Sequence, residues 1–462
     1  MHTSALARDW YLPACVVGTV VLLLVLVMWL RLHAALGLIV AAVGLGVASG
    51  MPPAQVPRSF GTGVGFMMGH IAIILAMGAL IGRLLADSGG AMALGRFLVE
   101  DCGPRGMPWA LLALGLLVGL PVFFEVGLVL LMPIVVDAAE RCRRPAILVG
   151  VPVMAGLSVM HGLAPPHPGA MLGATVYHAD VGRAILWAVV IGAPAAALAG
   201  PLLERVLTRL WKRRPERLAA KPAIGTAGSP AEGRARVGVP RALTVILLPV
   251  ALIFLGSWAD KLSAAGSPAN HVLRLVGYPD IAMTIAALVA LAVLGPRIEI
   301  GREHGRERLR RLTADSFGPI AGVLVILSAA GGLSGVLKDS GAAQSTVALA
   351  MGAHLPPLVL AWAMAAVVRV CMGSATVAMA VTSGVLAPMA GHMGVNPEML
   401  LMATGFGSLV LSHVNDSGFW LVSALFRTDV KETLATWSVV ETVLGVAGLG
   451  VTLLMAAATH SI

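Results

Sequence analysis

The sequence predicts an all-α polytopic membrane protein made of two inverted repeats. Each repeat would contain about five transmembrane helices, a re-entrant helical hairpin and a helix that breaks at the membrane midplane. Three observations support this prediction. The 462 residues are 58% hydrophobic and only 12% charged, whereas a soluble domain carries about 25% charged residues. Similar segments recur about half a chain apart, and polar residues or prolines interrupt several apolar runs.

Apolar runs of bilayer-spanning length define the spans. The first run, 12–30, follows Arg8 and is not followed by a clear small-residue cleavage site, so we expect a retained first helix rather than a signal peptide. The other simple spans predicted are 34–50, 67–86, 183–204, 242–259, 281–295, 316–337 and 434–457.

An internal repeat divides the chain. The segment IGRLLADSGGA at 81–91 resembles LSGVLKDSGAA at 333–343, an offset of 252 residues, and the same offset aligns His161 with His413. A polar, basic stretch rich in Pro, Gly and Ala lies between the two halves and predicts a flexible cytoplasmic linker. The predicted domains are therefore the first repeat, the linker and the second repeat, at 1–210, 211–240 and 241–462.

Two segments, 107–136 and 357–391, are too long for one span and contain polar interruptions at mid-length, in GLPVFFEVG and CMGSATVA. We interpret each as a hairpin that enters the membrane and returns on the same side. The charges support this interpretation. Only with a returning first hairpin do the RCRR cluster at 141–144, the central linker and the Arg-rich loop at 297–311 all lie in the cytoplasm. Both chain termini would then face outward.

The first predicted broken helix, 146–177, contains MHGLAPPHPGA. Three prolines within four residues remove backbone donors and prevent a continuous helix. The half-helix that follows starts with free N–H groups at the positive end of its dipole, which is a natural site for a carboxylate. His161 and His167 flank the break, and each would either contact substrate or protons, or cap the broken backbone.

Polar side chains also mark the second broken helix, 399–426, and the second hairpin. In SHVNDSGFW, Ser412, Asn415 and Asp416 could bind substrate hydroxyls, and Asp416 could take a proton. In MGSATVA, Ser374 and Thr376 offer hydroxyls that both donate and accept. The alternative is that these two hydroxyls bond to carbonyls of their own helix.

Isolated charges within apolar segments have several interpretations. Glu125 is the only carboxylate in its hairpin and could exchange protons, or it could serve structure by pairing with a helix end or an arginine. Arg369 could pair with a substrate carboxylate or with a carboxylate of the protein, and we rank it below the polar clusters. Asp87 and Asp339 follow spans in DSG sequences, which favours a simple helix stop.

Several function classes are disfavoured. The net charge of +9 is concentrated in short connections and not in a stripe with aromatic residues, so we expect no nucleic-acid partner. The four cysteines show no metal-ligand spacing, and neither HExxH nor GxSxG occurs, so we predict no metal, no enzyme activity and no cofactor other than a coupling proton. A channel is disfavoured because no charged ring or carbonyl-filter repeat is present.

The polar motifs, in this order, resemble those of the gluconate permease family of proton symporters. HGLAPPHPG is similar to that family's HGFLPPHPG signature, MGSATVAM to its GSATVA segment, and SHVNDSGFW to its SHVNDPGFW segment. The resemblance extends from about residue 36 to 445. Ser417 departs from the family's proline, and Ala170 and Met171 also depart from the usual residues after HPG, so the substrate could differ from gluconate.

The resemblance implies import of gluconate or a related sugar acid with protons across the bacterial inner membrane, within a superfamily of ion-coupled carboxylate transporters whose members often form homodimers. Sodium coupling, or transport of D-serine or another hydroxy acid, remains the alternative. The partners expected are thus a small sugar acid, the lipid bilayer and a second copy of the chain. The substrate-binding residues predicted are His161, His167, Ser374, Thr376, Asn415 and Asp416, and the proton-coupling residues predicted are Glu125, Asp416 and His161.

Overall fold

Every regular element is a helix in the described part of the computed structural model, which confirms the all-α class. Seven of these helices, including composite ones, are long and apolar enough to cross a membrane. The residues described are 2–99, 102–103, 105–211, 237–298, 305–342, 345, 356–391, 393–413 and 416–459.

The first half of the chain contains ten helices within the described ranges. Two of them continue through short π-helical turns, at Val25–Trp29 and Leu198–Leu202. Their bounds are α1 His2–Leu24, α2 Ala34–Ala48, α3 Gln55–Asp87, α4 Gly90–Val99, α5 Met107–Gly119, α6 Phe124–Cys142, α7 Ala146–Leu163, α8 Pro168–Val176, α9 Val181–Ala197 and α10 Leu203–Trp211.

The second half follows a linker that lies mostly outside the described residues. A π-helical turn at Leu434–Ser438 joins its last two helices. The bounds are α11 Val239–Ser257, α12 Ala259–Leu262, α13 Pro268–Gly277, α14 Pro279–Ile298, α15 Gly305–Asp315, α16 Ala321–Asp339, α17 Pro357–Met372, α18 Ala375–Ala390, α19 Pro397–Gly407, α20 Ser417–Phe426, α21 Val430–Thr433 and α22 Val439–Ala458.

Helices α3 and α16 pack with their backbones in direct contact. A Cβ atom built on Gly63 would lie 2.1 Å from the carbonyl oxygen of Gly331, and one on Gly335 would lie 2.4 Å from the carbonyl oxygen of Ser59. Only glycine permits this approach. The Ser59 hydroxyl also donates to the Asp339 carboxylate at 2.5 Å. Together with α2, α11 and α14, this pair forms a packed group that we call the frame.

A second packed group, which we call the core group, contains α5 to α8 and α17 to α20, with α9 and α22 against it. Helix α7 is buried along nearly its whole length. It contacts α5 backbone to backbone, because a Cβ on Gly156 would lie 2.7 Å from the Leu116 nitrogen. Helices of the two halves also pack against each other, as α8 does against α18.

Two predicted helix stops are observed. Helix α3 ends at Asp87 and α16 ends at Asp339, and each is followed by a serine cap. The next residues, Gly89 and Gly341, have φ of +74° and +75°, a conformation that glycine adopts readily. Asp339 does more than end a helix, since its carboxylate also binds the frame helix α3 through Ser59.

Four interruptions fall inside apolar segments. They separate α5 from α6, α7 from α8, α17 from α18 and α19 from α20.

Some bounds differ from the predicted ones: α3 starts at Gln55, twelve residues before the predicted span, and α6 extends to Cys142, because their polar ends are still helical. The inverted symmetry, the return of each hairpin to its starting side and the domain limits stay predictions.

Candidate substrate and proton site

Four helices begin in the interior, immediately after the interruptions. The first turns of α6 and α8 receive no hydrogen bond from a capping side chain, so their N–H groups remain available. In α18, Ser374 Oγ accepts from the N–H of Val377 at 3.3 Å. In α20, the Asp416 carboxylate accepts from the N–H of Gly418 at 3.0 Å. Two helix starts therefore lack side-chain caps and two are capped.

These helix starts meet in pairs. A Cβ on Gly169, in the first turn of α8, would lie 3.4 Å from Cα of Thr376 in α18. A Cβ on Gly418, in the first turn of α20, would lie 3.6 Å from the ring of Phe124 in α6. Each pair joins one helix from each half of the chain. The positive ends of several helix dipoles are thus brought together in the core group.

Arg369, near the end of α17, lies at the centre of the site. Its side chain is 3% exposed. One terminal nitrogen lies 2.7 Å from the Asp416 carboxylate, and the other donates to the carbonyl oxygen of Gly373 at the hairpin interruption. The guanidinium therefore joins the second hairpin to the second broken helix. Of the two partners predicted for Arg369, a substrate carboxylate or a carboxylate of the protein, the structure shows the second.

Asp416 is held by three donors. Besides Arg369 and the Gly418 N–H, the Ser412 hydroxyl donates to its carboxylate. Ser412 in turn accepts from the indole N–H of Trp437 at 2.7 Å. Trp437 stacks on Phe124, with ring centroids 4.8 Å apart, so α6, α20 and the start of the last long helix share one network.

A further acid at this site, Glu441, is not among the residues predicted from the sequence. This residue lies in the first turn of α22, is 1% exposed, and has a carboxylate oxygen 3.8 Å from the Arg369 guanidinium. The sequence does contain an indication of this residue, because Glu441 is the only charged residue in the predicted span 434–457. A lone acid within an apolar span indicates a functional site.

The histidines of the first break lie against the first hairpin. The rings of His161 and His167 are 5.1 Å apart, and Phe123 contacts both. His167 Nε2 lies 2.6 Å from the carbonyl oxygen of Gly119, at the end of α5. This bond fixes the break relative to the hairpin.

The second break has an equivalent bond, in which His413 Nε2 lies 2.9 Å from the carbonyl oxygen of Val370 in α17. The repeat aligned His413 with His161, yet His167 makes the corresponding contact with the first hairpin. His161 has an Nδ1 atom without a hydrogen-bond partner among the described residues, and it interacts electrostatically with Arg369 and Asp416.

Glu125 lies in the first turn of α6, in densely packed surroundings but with part of its side chain exposed, and it also interacts electrostatically with Arg369 and Asp416. The structure therefore places Glu125, His161 and Asp416 around one arginine. Ser374 and Thr376 lie just beyond it, at the start of α18. Asn415, also predicted as a substrate ligand, is outside the described residues.

A separate cavity of about 450 Å³ lies between the frame and the core group. Frame helices α3 and α16 form most of its wall, and the far ends of α8 and α18 complete it. Its lining is rich in hydroxyls and includes a lysine and an aspartate. The polar and charged side chains of the lining are those of Ser59, Thr62, Ser334, Lys338, Asp339 and His178.

Spanning helices that break around a buried charged cluster are typical of secondary transporters. The comparisons with known proteins assign the chain more narrowly: the model of the GntP family permeases matches residues 10–458, and the chain belongs to this family. It is thus a membrane permease and not an enzyme, a multi-pass protein of the bacterial inner membrane.

Curated relatives match over nearly their full length. The chain is 39% identical to a gluconate permease of Pseudomonas aeruginosa, with 97% of this chain and 98% of that protein covered. It is 36% identical to the Gnt-II system L-idonate transporter of Escherichia coli, with coverage of 93% and 95%.

Among solved structures, the YdaH transporter of Alcanivorax borkumensis has a similar fold. The TM-score is 0.63 at 18% sequence identity, with 89% of this chain and 90% of that one covered. At this identity the likeness concerns the fold alone.

Proposed function

We propose that this permease imports gluconate or a closely related sugar acid together with protons, by alternating access. The names of its relatives support the substrate class, since they include gluconate and L-idonate transporters at 35–39% identity. Such substrates carry one carboxylate and several hydroxyls. The site must therefore hold one negative charge and several neutral polar groups within the membrane.

The buried guanidinium of Arg369 is the observation that carries the proposal. It is the cation of the described cluster, and its planar fork suits a carboxylate. The uncapped N–H groups at the starts of α6 and α8 offer further anion donors nearby. A substrate carboxylate would share the arginine with Asp416.

Hydroxyl recognition would fall to the surrounding polar groups. Ser374 and Thr376 lie at the start of α18, where α8 approaches. His161 has an unpartnered ring nitrogen within the described part of the chain. We propose these groups, with His167 as a positioning residue and Asn415 as a further contact, as the ligands of the sugar hydroxyls.

Proton coupling would use acids that share the arginine with the substrate. Of the predicted carriers, Glu125 has part of its side chain exposed, and His161 has a buried ring nitrogen without a hydrogen-bond partner among the described residues. Both could pass protons between the surface and the arginine cluster. Asp416 is already held by three donors, which makes it a better anchor than a carrier. A proton that accompanies the anion neutralises its charge and lowers the cost of crossing.

The cavity between the frame and the core group supports alternating access. Under the predicted sidedness, the end of α16 and the start of α3 face outward, so the cavity would open to the outside. Movement of the core group along the frame would close this cavity and open the site to the cytoplasm. Small residues at the contact between the two groups suit such sliding, as at Gly384, where a Cβ would lie 3.4 Å from the Ala330 carbonyl oxygen.

The test is uptake of labelled gluconate by proteoliposomes that contain the purified chain. We expect saturable uptake that an inward proton gradient drives and that a proton ionophore abolishes. Uptake that does not depend on the proton gradient, but is lost when K⁺ replaces Na⁺, would instead establish the sodium-coupled alternative.

A panel of sugar acids and D-serine, compared by substrate-induced thermal stabilisation, then identifies the substrate. We expect sugar acids to stabilise the protein most. Stabilisation by D-serine alone would overturn the proposed substrate class and leave the transporter class intact.

A further inference from the structure

Glu441 is a buried acid whose bonding is incomplete. One of its carboxylate oxygens lies 3.8 Å from the Arg369 guanidinium, and the Ser158 side chain lies near enough to interact with the carboxylate. Its Oε1 atom has no hydrogen-bond partner among the described residues. A buried ionised carboxylate normally fills its acceptor positions, so this one is poorly stabilised as an anion.

The charges around Glu441 do not balance. Within the described residues, Arg369 and Asp416 are the charged groups that act on it, and both lie in the same network. Glu125 and His161 act in turn on that pair. A single guanidinium thus faces at least two buried carboxylates. Like-charged carboxylates that share one cation bind a proton between them more readily than isolated ones.

The two carboxylates differ in what protonation would disrupt. Protonating Asp416 would weaken its bonds to the arginine and to the N–H of Gly418 at the start of α20. Protonating Glu441 would break no hydrogen bond at Oε1, since none exists there among the described residues. Glu441 is therefore the carboxylate that can take a proton at an oxygen without a hydrogen bond, and Asp416 keeps its three donors as the anchor of the break.

We propose that Glu441 binds the proton that travels with the substrate, an inference that rests on the proposed proton symport. While Glu441 is ionised, its charge and that of Asp416 together exceed the charge of Arg369, which disfavours a third carboxylate there. A proton from the outer water neutralises Glu441 and frees the guanidinium to take the substrate carboxylate. Loss of that proton to the cytoplasm returns the guanidinium to Glu441 and releases the anion. Proton and anion together leave the net charge of the site unchanged.

The test compares wild type, Glu441→Gln and a matched control in proteoliposomes. The control is Glu398→Gln, which changes another buried glutamate that accepts from the N–H of Asp180, away from the site. The two measurements are uptake driven by a gradient of about one pH unit and counterflow exchange at equal pH. For one proton per monovalent anion, that gradient supports about tenfold accumulation, since one pH unit is a tenfold ratio in proton activity.

We expect Glu441→Gln to lose this accumulation and its proton flux while it keeps counterflow, and Glu398→Gln to behave as wild type. Accumulation at the wild-type level in Glu441→Gln would overturn the inference, as would equal loss of accumulation and counterflow in a folded variant.

If Glu441→Gln does not fold, Glu441→Asp replaces it. A shifted pH profile of uptake in Glu441→Asp supports the inference, and an unchanged profile overturns it. Absence of gradient-driven uptake in wild type would refute the proposed symport itself.

Discussion

Replacing Gly63 with alanine tests the close contact between α3 and α16. The new Cβ would lie 2.1 Å from the carbonyl oxygen of Gly331, whereas ordinary contacts begin at 3.4 Å. The gap must therefore widen by about 1.3 Å. The Cβ is fixed to its own backbone and the oxygen belongs to the facing backbone, so no side-chain rotation relieves the overlap. Overpacking costs about 1–3 kcal/mol, and we expect Gly63→Ala at the upper end of that range.

Gly65→Ala is the matched control on the same helix. A Cβ there meets nothing within 4 Å, and alanine is favoured over glycine in a helix by about 0.5–1 kcal/mol. Thermal unfolding of both purified variants, followed by intrinsic tryptophan fluorescence, should show opposite shifts from wild type. Equal melting temperatures for the two variants would refute the backbone-to-backbone packing of the frame.

Two further substitutions probe the charged site. Arg369→Lys keeps the charge but loses the planar fork that can donate two parallel hydrogen bonds to one carboxylate. Loss of a charge-assisted hydrogen bond of about 1.5–3 kcal/mol should raise the KM for uptake about 10- to 100-fold. A KM within threefold of wild type would contradict a carboxylate-binding role. Trp437→Phe keeps the stacking on Phe124 but loses the donor to Ser412. We expect Trp437→Phe to lower the free energy of unfolding by about 1 kcal/mol. The control Trp109→Phe, at an exposed position, should change it little. Equal free energies of unfolding for the two variants would exclude this hydrogen bond from the network.

The interruptions were predictable from the sequence because their causes are local. Pro165, Pro166 and Pro168 prevent a continuous helix whatever surrounds them. The position of Ser417 also has a local explanation, since it is the first residue of α20, where proline is favoured and serine is tolerated. Local rules thus located the breaks and the helix starts.

The ion-pair network was not predictable in the same way. Arg369 and Asp416 are 47 residues apart, and Glu441 comes from a further helix. Sequence spacing does not reveal which of several lone charges meet, so the arginine was ranked low and Glu441 was missed. Only the packing of α17, α20 and α22 brings the three together.

The repeat offset likewise predicted partners only approximately. It aligned His161 with His413, but His167 makes the bond to the hairpin that corresponds to the one from His413. Three prolines fall at the first break and none at the second, so the two breaks differ in sequence. Equivalent contacts therefore fall to residues that are not equivalent in sequence.

The cavity of about 450 Å³ between the frame and the core group is large enough for a small organic molecule. Its walls belong to two groups that must shift relative to each other if the permease alternates. A compound that fills this space, with an acidic group that pairs with Lys338 and a hydrogen-bond donor to Asp339, would hold the two groups apart. It would arrest the permease in one conformation without resembling its substrate, which makes the cavity a starting point for non-competitive inhibitors.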